Sequence, residues 1–289
     1  MKWNNNTLKD LKHQYTELLS SKFNLLESKR FLDILIEDFF NISNIRLALE
    51  PDIKLSESEM LRLHFAVKDL LNDKPIQYIT GISHFHDLKL TVNESVLIPR
   101  PETEELINLI FNEEQSEGLK VIDIGTGSGC IAIVLKKLLR NADVTAIDVS
   151  NDALKVAELN TINNKLNIAF KQIDILKTDS FSSFPMFDIV VSNPPYVTQS
   201  DKKLMQKNVV DFEPSQALFV DDKNPLIFYI AILNFCQIHL KNGGRIYFEI
   251  NENKGGEMMM LLEKFNYQDA NIHRDVHGKE RFITASKRN

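Results

Sequence analysis

The segment VIDIGTGSG, Val121 to Gly129, has three glycines directly after a short apolar run. The run itself is typical of a buried strand, and the apolar residues from Cys130 onward indicate a helix. Glycines in such a turn let the backbone bend sharply and let a ligand approach without a Cβ in the way. The segment therefore predicts a strand, a ligand-binding turn and a helix in succession.

The spacing of these glycines bears on the kind of ligand. A dinucleotide site uses G-x-G-x-x-G, with a pyrophosphate at the N-terminus of the following helix. Here the third glycine comes one residue early, and Cys130 occupies the sixth position. The resulting pattern, acid-x-Gly-x-Gly-x-Gly, is similar to the S-adenosylmethionine site of class I methyltransferases. Taken alone, the turn leaves a purely structural role in another α/β protein as the alternative.

Acidic residues follow the next two predicted strands. Asp148 closes the second strand, where a carboxylate could accept both hydroxyls of a ribose. A dinucleotide enzyme would show much the same acid, so Asp148 does not discriminate between the two ligands. Asp174 and Ile175 follow the third strand, at the place where class I methyltransferases hold the adenine.

Strand-like and helical runs alternate along the chain after Gly118. Strands are predicted at 120–124, 143–147, 168–172, 187–192 and 245–250. Helical runs separate most of them, for example at 130–139 and 151–163. This alternation predicts a parallel, doubly wound α/β sheet, and the C-terminal runs predict a final hairpin.

The first part of the chain has apolar residues at helical spacing throughout. Ser56-Glu57-Ser58-Glu59 is a capping-box pattern that opens one of its helices. Between 77 and 98, short alternating runs such as HFHDLKLTV and SVLI predict a hairpin. We therefore predict a helical bundle at 1–75, a linking β-hairpin at 76–98 and an α/β domain at 99–289. The bundle is either a small packing domain or a docking module for a macromolecular substrate.

Composition narrows the class of protein. The 289 residues are 43% hydrophobic and 26% charged with a net charge of −6, which argues against a broad nucleic-acid-binding face. The N-terminus lacks a signal-peptide core, and no apolar run approaches the roughly 18 residues of a membrane span. We expect a cytoplasmic protein with no membrane contact, with Cys130 and Cys236 as buried, reduced thiols and no metal site.

A second motif, Asn193-Pro194-Pro195-Tyr196, ends the fourth predicted strand. Two consecutive prolines cannot continue a strand ladder, because neither has an N–H to donate. Ligands of open α/β sheets bind beyond the carboxyl ends of the strands, so this turn and the glycine turn are expected to face one crevice. The stiff turn holds the Asn193 amide at that edge.

An amide held in this way suits methyl transfer to a planar –NH2 group. The nitrogen of an amide or arylamine is a poor nucleophile, because its lone pair is delocalised into the π system. The Asn193 side-chain oxygen and the Pro194 carbonyl could accept its two N–H groups, align it and stabilise developing positive charge. Tyr196 could stack on the planar group. A rigid turn with no chemistry is the alternative interpretation.

Five motifs occur together in this chain. They are Gln77-Tyr78-Ile79-Thr80-Gly81, Leu97-Ile98-Pro99-Arg100-Pro101-Glu102-Thr103-Glu104, Asp123 to Gly129, Asn193 to Tyr196, and Phe212-Glu213-Pro214 followed by Ala217-Leu218. In this combination the chain resembles, over nearly its whole length, the bacterial glutamine methyltransferases of peptide-chain release factors, the PrmC or HemK family. The Ile-Pro-Arg-Pro-Glu-Thr-Glu run is the most discriminating, because general methyltransferases do not share it.

The resemblance implies a specific reaction and fold. The reaction is N5 methylation of the glutamine in the Gly-Gly-Gln loop of class I release factors, with S-adenosyl-L-methionine as donor and S-adenosyl-L-homocysteine as product. The fold is that of class I S-adenosylmethionine-dependent methyltransferases, a Rossmann-like doubly wound sheet whose last strand is antiparallel, preceded by an α-helical bundle. The domain at 99–289 is then the methyltransferase domain.

The resemblance also implies roles for individual residues. The cofactor would be bound by Gly125, Thr126, Gly127, Ser128, Gly129, Asp148, Ile175 and Asn193. The substrate glutamine would be held by Asn193, Pro194, Pro195 and Tyr196, of which Asn193, Pro194 and Tyr196 are the candidate catalytic residues. The chain departs from the family pattern at Ile175, often an aromatic, at Val220-Asp221-Asp222, and at Asn251.

Two rival functions fit parts of the pattern. A nucleic-acid adenine-N6 methyltransferase also holds a planar –NH2, but it must extract a base and grip phosphates, and the net charge of −6 weighs against that. We therefore expect no stable nucleic-acid binding. The second rival is a non-catalytic binding module that keeps the cofactor fold only as a scaffold.

Overall fold

The computed structural model of the chain describes residues 6–177, 181 and 184–288. Its first part is helical, with α1 (Leu8–Leu19), α2 (Leu25–Phe40), α3 (Asn44–Leu49), α4 (Glu57–Leu71) and α5 (Ile76–Thr80). Apolar side chains from α1, α2 and α4 are buried together, among them Leu11, Leu32 and Leu63. Ser56 begins α4 with the predicted capping box. The amphipathic spacing therefore produces the helical bundle that the sequence predicts.

The linking hairpin is shorter than predicted. Residues 77–80 belong to α5, which ends where Gly81 takes the left-handed conformation with φ of 76°. The hairpin itself consists of β1 (Ile82–Phe85) and β2 (Leu88–Thr91). The run 95–98 forms no strand, because the Ile98 N–H donates to the Glu213 side chain at 3.2 Å instead of to a neighbouring strand.

Strands and helices alternate in the rest of the chain. The first of these elements are α6 (Pro101–Glu113), β3 (Lys120–Ile124), α7 (Cys130–Leu138), β4 (Asp143–Asp148), α8 (Asn151–Asn163), β5 (Ala169–Gln172) and β6 (Phe187–Ser192). They are followed by β7 (Val197–Thr198), α9 (Lys207–Phe212), α10 (Ser215–Leu218), β8 (Phe219–Val220), α11 (Ile227–His239), β9 (Leu240–Glu249), α12 (Gly255–Lys264), β10 (Tyr267–Arg274) and β11 (Glu280–Lys287).

Within the described residues, seven strands form one sheet in the order β10-β11-β9-β6-β3-β4-β5. The strands β9, β6, β3, β4 and β5 pair in parallel, and β11 is antiparallel to both of its neighbours. The predicted doubly wound sheet with an antiparallel last strand is confirmed. The short strands β7 and β8 pair with each other outside this sheet.

Alternate residues of the strands belong to two separate cores. On β3, Val121 packs in the core formed with α6 and α7, whereas Ile122 packs in the core formed with α11 and α12. On β6, Val191 and Val190 divide in the same way. Because strand side chains alternate with a period of two, a sheet covered by helices on both faces requires apolar residues at successive positions.

Most predicted boundaries agree with the structure, and β9 is the main exception. The bounds of β3, β6 and α8 are those predicted, but β9 begins at Leu240 and not at 245. Its pairing with β6 jumps from Phe187 opposite Leu240 to Ile189 opposite Arg245, and Gly243 has φ of 72°. The residues between Leu240 and Arg245, Gly243 among them, therefore bulge out of the pairing with β6.

The described residues fall into two compact units. One contains those up to Ile82 together with Gln206–Phe212, and the other contains the remaining described residues from Ser83 onward. None of the helices in the described part of the chain is long and apolar enough to cross a membrane.

Candidate active site

A cavity of about 290 Å³ lies at the carboxyl edge of β3, β4 and β6. The glycine turn after β3 and the Asn193–Pro195 segment after β6 both line it. Asp148 at the end of β4 and Ile175 after β5 complete the set of predicted residues on its wall. Two predicted residues, Gly129 and Tyr196, do not line the cavity.

The glycine turn takes its shape from its own backbone. Gly125, Gly127 and Gly129 have φ of 75°, 56° and 82°, in the left-handed region that other residues rarely adopt. A Cβ at Gly125 or Gly127 would have no heavy atom within 4 Å, whereas one at Gly129 would lie 3.0 Å from the Ala157 Cβ. The first two glycines thus leave space open at the turn, and the third lets α7 pack closely against α8.

Asp148 holds the glycine turn and remains able to bind a ligand. Its Oδ2 accepts the Gly127 N–H and its Oδ1 accepts the Ser150 N–H, both at 2.9 Å. Each carboxylate oxygen has a further lone pair, which a ligand hydroxyl can use. Burial raises the pKa of Asp148, and the backbone donors oppose that rise.

A second carboxyl, Asp123, is fully buried beside the same turn. The Thr126 hydroxyl donates to its Oδ2 at 2.6 Å, while its Oδ1 is buried without a hydrogen-bond partner among the described residues. Burial raises the pKa of Asp123 to about 7, although the Thr126 hydrogen bond opposes this. A cationic ligand would relieve the desolvation of such a carboxylate.

These features fit S-adenosylmethionine, which carries an ammonium and a sulfonium group. Two carboxyls, the buried Asp123 and the half-buried Asp148, lie at the turn, and Gly125 and Gly127 leave room for close approach. The apolar part of the wall around Ile175 suits the adenine ring. Besides Ile175 it comprises Ile147, Ile173, Leu176, Phe228 and Ile232.

The Asn193 side chain is fixed by a carboxylate that lies far away in sequence. Its Nδ2 donates to Glu249 Oε2 at 2.8 Å and approaches Thr103 Oγ1 at 3.3 Å. Its Oδ1 has no hydrogen-bond partner within the described residues. The Asn193 oxygen therefore stays available as an acceptor at the cavity, beside Pro194 and Pro195.

Tyr196 is directed away from the cavity wall. Its hydroxyl donates to Glu249 Oε1 at 3.0 Å, and its ring packs against the core formed with α11 and α12. Its backbone carbonyl accepts from Asn251 Nδ2 at 3.4 Å. Burial raises the pKa of Tyr196. In this geometry Tyr196 supports the turn through Glu249, and stacking on a substrate requires that it move.

Sequence reasoning assigned no role to four residues at or beside this site. Glu249, at the end of β9, accepts from Asn193, Tyr196 and Thr103, the last at 2.8 Å. Arg100, on the cavity wall, forms an ion pair with the buried Glu213 at 2.5 Å. The motifs at 97–104 and 212–214 contain Thr103, Arg100 and Glu213, so the signal was present without its geometry.

The two cysteines are free, buried thiols, as the sequence predicts. Burial raises the pKa of Cys130 and of Cys236 to about 12, so both thiols stay protonated near neutral pH. Cys130 lines the cavity, but the thiolate and not the thiol is the nucleophile. Among the residues that the structure describes, no group of three or more His, Cys, Asp or Glu side chains is arranged to hold a metal ion.

The sequence matches two family models. They are the methyltransferase small domain over residues 103–212 and the PrmC N-terminal domain over residues 13–81. A release factor glutamine methyltransferase of Flavobacterium psychrophilum is 43% identical over 97% of this chain and 99% of its own length. Another, of Bacteroides thetaiotaomicron, is 40% identical over 86% of this chain and 89% of its own length.

A solved structure supports the fold. The ribosomal protein L11 methylase of Lactobacillus delbrueckii subsp. bulgaricus aligns with a TM-score of 0.51 at 18% identity, over 72% of this chain and 100% of its own. The predicted methyltransferase fold and the predicted S-adenosyl-L-methionine cofactor are confirmed. With relatives this similar along almost its entire length, the chain belongs to the release factor glutamine methyltransferase family.

Proposed function

We propose that this protein transfers a methyl group from S-adenosyl-L-methionine to the side-chain amide nitrogen, N5, of the glutamine in the Gly-Gly-Gln motif of class I peptide-chain release factors. The names of its relatives support release factors as the substrate. Translation ends on ribosomes of the cytoplasm, so the proposed activity is cytoplasmic. With a net charge of −6 the protein is expected to act without stable binding to nucleic acid.

The observation that carries the proposal is the fixed orientation of the Asn193 amide. Its nitrogen is taken by Glu249, so its oxygen is the atom left to meet a ligand. The Pro194 carbonyl is a second acceptor without a hydrogen bond in the described part of the chain. Two acceptors side by side match the two N–H groups of a primary amide.

These acceptors act on the nitrogen that receives the methyl group. Bound S-adenosylmethionine supplies an electrophilic methyl: the nitrogen lone pair forms the N–C bond, the C–S bond breaks, and its electron pair remains on sulfur. Asn193 Oδ1 and the Pro194 carbonyl align the nitrogen and stabilise the positive charge that develops on it. The alkylated amide is acidic enough to release one N–H proton to water, so no protein base is required.

The helical bundle is proposed to dock the protein part of the substrate. Large apolar side chains are exposed on it, with Leu26 80%, Leu49 77% and Ile45 75% accessible. Ile45 and Leu49 lie four residues apart and so share one face of α3, where exposed apolar side chains suit contact with a protein. Replacing all three by serine should weaken methylation of intact release factor and leave cofactor binding unchanged. Equal activity of the variant and the wild-type enzyme would mean that the bundle has only a packing role.

The direct test is methyl transfer from radiolabelled S-adenosylmethionine to purified release factor. Label is expected on the intact factor and not on a factor whose Gly-Gly-Gln glutamine is replaced by glutamate, because glutamate has no –NH2. DNA and RNA serve as parallel substrates. Label on the nucleic acids alone would favour an adenine methyltransferase, and no label on any substrate would favour a binding module.

A further inference from the structure

The buried carboxylate of Glu249 connects three groups around the Asn193 turn. Its Oε2 accepts from Asn193 Nδ2 and from the Thr103 hydroxyl, both at 2.8 Å. Its Oε1 accepts from the Tyr196 hydroxyl at 3.0 Å. The Glu249 side chain does not line the cavity, and the residue is only 2% exposed. Glu249 therefore makes no direct contact with a ligand in the cavity, and the groups that it holds connect it to the site.

We propose that Glu249 is a positioning residue that keeps the Asn193 amide turned with its oxygen toward the cavity, and so makes the site select an –NH2 group. This inference rests on the proposed methylation of a glutamine amide.

The two ends of the Asn193 amide are nearly equal in size, so shape alone does not choose between its two orientations. An ionised carboxylate can only accept hydrogen bonds. A half-turn of the amide would put Asn193 Oδ1 against Glu249 Oε2, two acceptors in a buried site, and would lose the bond at 2.8 Å. The carboxylate thus excludes the turned orientation.

Orientation decides what the cavity binds. With Oδ1 toward the cavity, Asn193 accepts from a substrate –NH2. In the turned orientation it would present its own –NH2, which attracts the carbonyl of a glutamine or the carboxylate of a glutamate. Either of those binding modes removes the substrate nitrogen from its acceptor. A donor bond to a carboxylate also polarises the amide and makes Oδ1 a stronger acceptor.

Neighbouring groups act on the charge of Glu249 in opposite directions. Burial raises the pKa of Glu249, and the negative charge of Glu102 acts in the same direction. The hydrogen bonds from Thr103 and Tyr196 and the positive charge of Arg281 oppose the rise and favour the acceptor-only form. Arg281 also acts on the Tyr196 hydroxyl, which donates to Oε1.

The isosteric change Glu249→Gln puts an –NH2 in place of one carboxylate oxygen. That –NH2 faces either Asn193 or Tyr196, and in both orientations the charge-assisted hydrogen bond to Asn193 is lost. With the –NH2 toward Asn193, the Asn193 amide turns to accept with Oδ1, and its own –NH2 faces the cavity. We expect kcat on release factor to fall roughly 10- to 100-fold, the effect of losing one charge-assisted hydrogen bond. The affinity for S-adenosylmethionine, measured by calorimetry, should change less than about threefold, because the glycine turn and Asp148 are untouched.

Two readouts separate positioning from a general structural role. In an Asn193→Ala background, Glu249→Gln should lower kcat by less than about twofold further, because the group it positions is absent. Glu249→Gln should also shift relative binding toward a release factor carrying glutamate in place of the target glutamine, by roughly tenfold. Glu249→Asp keeps an acceptor-only group and should keep the preference for glutamine even where its rate falls.

The matched control is Glu113→Gln. Glu113, at the end of α6, accepts from Arg245 and Tyr247, which lie on β9 as Glu249 does, and it does not line the cavity. The Glu113→Gln substitution should leave kcat and the glutamine preference unchanged. A folded Glu249→Gln enzyme with wild-type kcat and wild-type preference would overturn the positioning role, and so would full additivity with Asn193→Ala. Were Glu249→Gln to unfold, loss of the preference in Glu249→Asp would overturn it equally. Failure of the wild-type enzyme to methylate release factor would instead contradict the proposed function.

Discussion

The glycine turn after β3 and the Asn-Pro-Pro-Tyr turn after β6 reach one cavity but are held in different ways. The glycine turn depends on local backbone conformation, with Gly125 and Gly127 at positive φ, and on the nearby end of β4. The Asn193 turn depends on side chains from α6 and β9, namely Thr103 and Glu249. The first turn leaves open space at the cavity, and the second orients one polar group.

This difference implies that the two turns can be impaired separately. Changes at the glycine turn should alter stability and cofactor affinity. Changes at the Asn193 turn should alter the rate of transfer. Single substitutions in each turn test whether cofactor affinity and the rate of transfer can be changed separately.

The largest effect is expected for Asn193→Ala. One acceptor aimed at developing charge is worth about 2.7–4 kcal/mol by analogy with oxyanion-hole donors, so kcat on release factor should fall roughly 100- to 1000-fold. Cofactor affinity by calorimetry should change far less. Asn251→Ala is a matched control, because the Asn251 side chain donates to the Tyr196 carbonyl, accepts the Asn253 N–H and does not line the cavity. A folded Asn193→Ala enzyme with near-normal turnover would remove the amide from the mechanism.

Asp148→Ala should weaken cofactor binding and not slow the transfer step itself. Losing a hydrogen bond to a charged group costs about 1.5–3 kcal/mol, so the Kd for S-adenosylmethionine should rise roughly 10- to 150-fold. With saturating cofactor, kcat should recover. Asp188→Ala is the control, because Asp188 accepts from Lys120 at the opposite end of β3. Unchanged affinity in a folded Asp148→Ala protein would exclude Asp148 from the cofactor site.

The same contrast explains what the sequence could predict. The glycine turn and Asp148 are neighbours of predicted strands, so local pattern and the parallel sheet together locate them. Asn193 was located in the same way, by the prolines that follow it. The partner that orients it was not, because Glu249 is adjacent to Asn193 only through the pairing of β6 with β9. The pattern of a strand predicts that such a residue is buried, but it does not predict which side chain its carboxylate contacts.

The direction in which Tyr196 points could not be predicted for a similar reason. Its hydroxyl donates to the buried carboxylate of Glu249 at 3.0 Å and does not point into the open cavity. The start of β9 was missed because the strand bulges between Leu240 and Arg245, where it pairs with β6, and local sequence pattern does not predict that pairing. In each of these cases the deciding interaction joins residues that are distant in the chain.

The free energy of unfolding should depend on pH through Asp123, which lies beside the glycine turn. The pKa of Asp123 is about 7 in the folded protein, against an ordinary value of 3.8 for an aspartate. The folded state therefore retains a proton that the unfolded state has lost, and stability falls as pH rises from about 4 to 7. Between pH 5.5 and 7.5 this loss amounts to about 2 kcal/mol.

Asp123→Asn removes the titrating group. Urea unfolding of the cofactor-free protein should show the variant gaining about 2 kcal/mol on the wild type between those two pH values. The comparison of slopes cancels any constant cost of the substitution. Parallel curves for the two proteins would mean that Asp123 does not carry this proton.

The smallest effect is expected at two glycines with similar backbone conformations, one of which is a control for the other. Gly127 has φ of 56° and Gly118 has φ of 69°, and a Cβ at either would have no heavy atom within 4 Å. Alanine at each position should cost roughly 1–2 kcal/mol of unfolding free energy, the penalty of the left-handed conformation. Only Gly127 lines the cavity, so only Gly127→Ala should also weaken S-adenosylmethionine binding. Equal cofactor affinity in the two variants would show that the turn serves backbone geometry alone and leaves no room that the ligand uses.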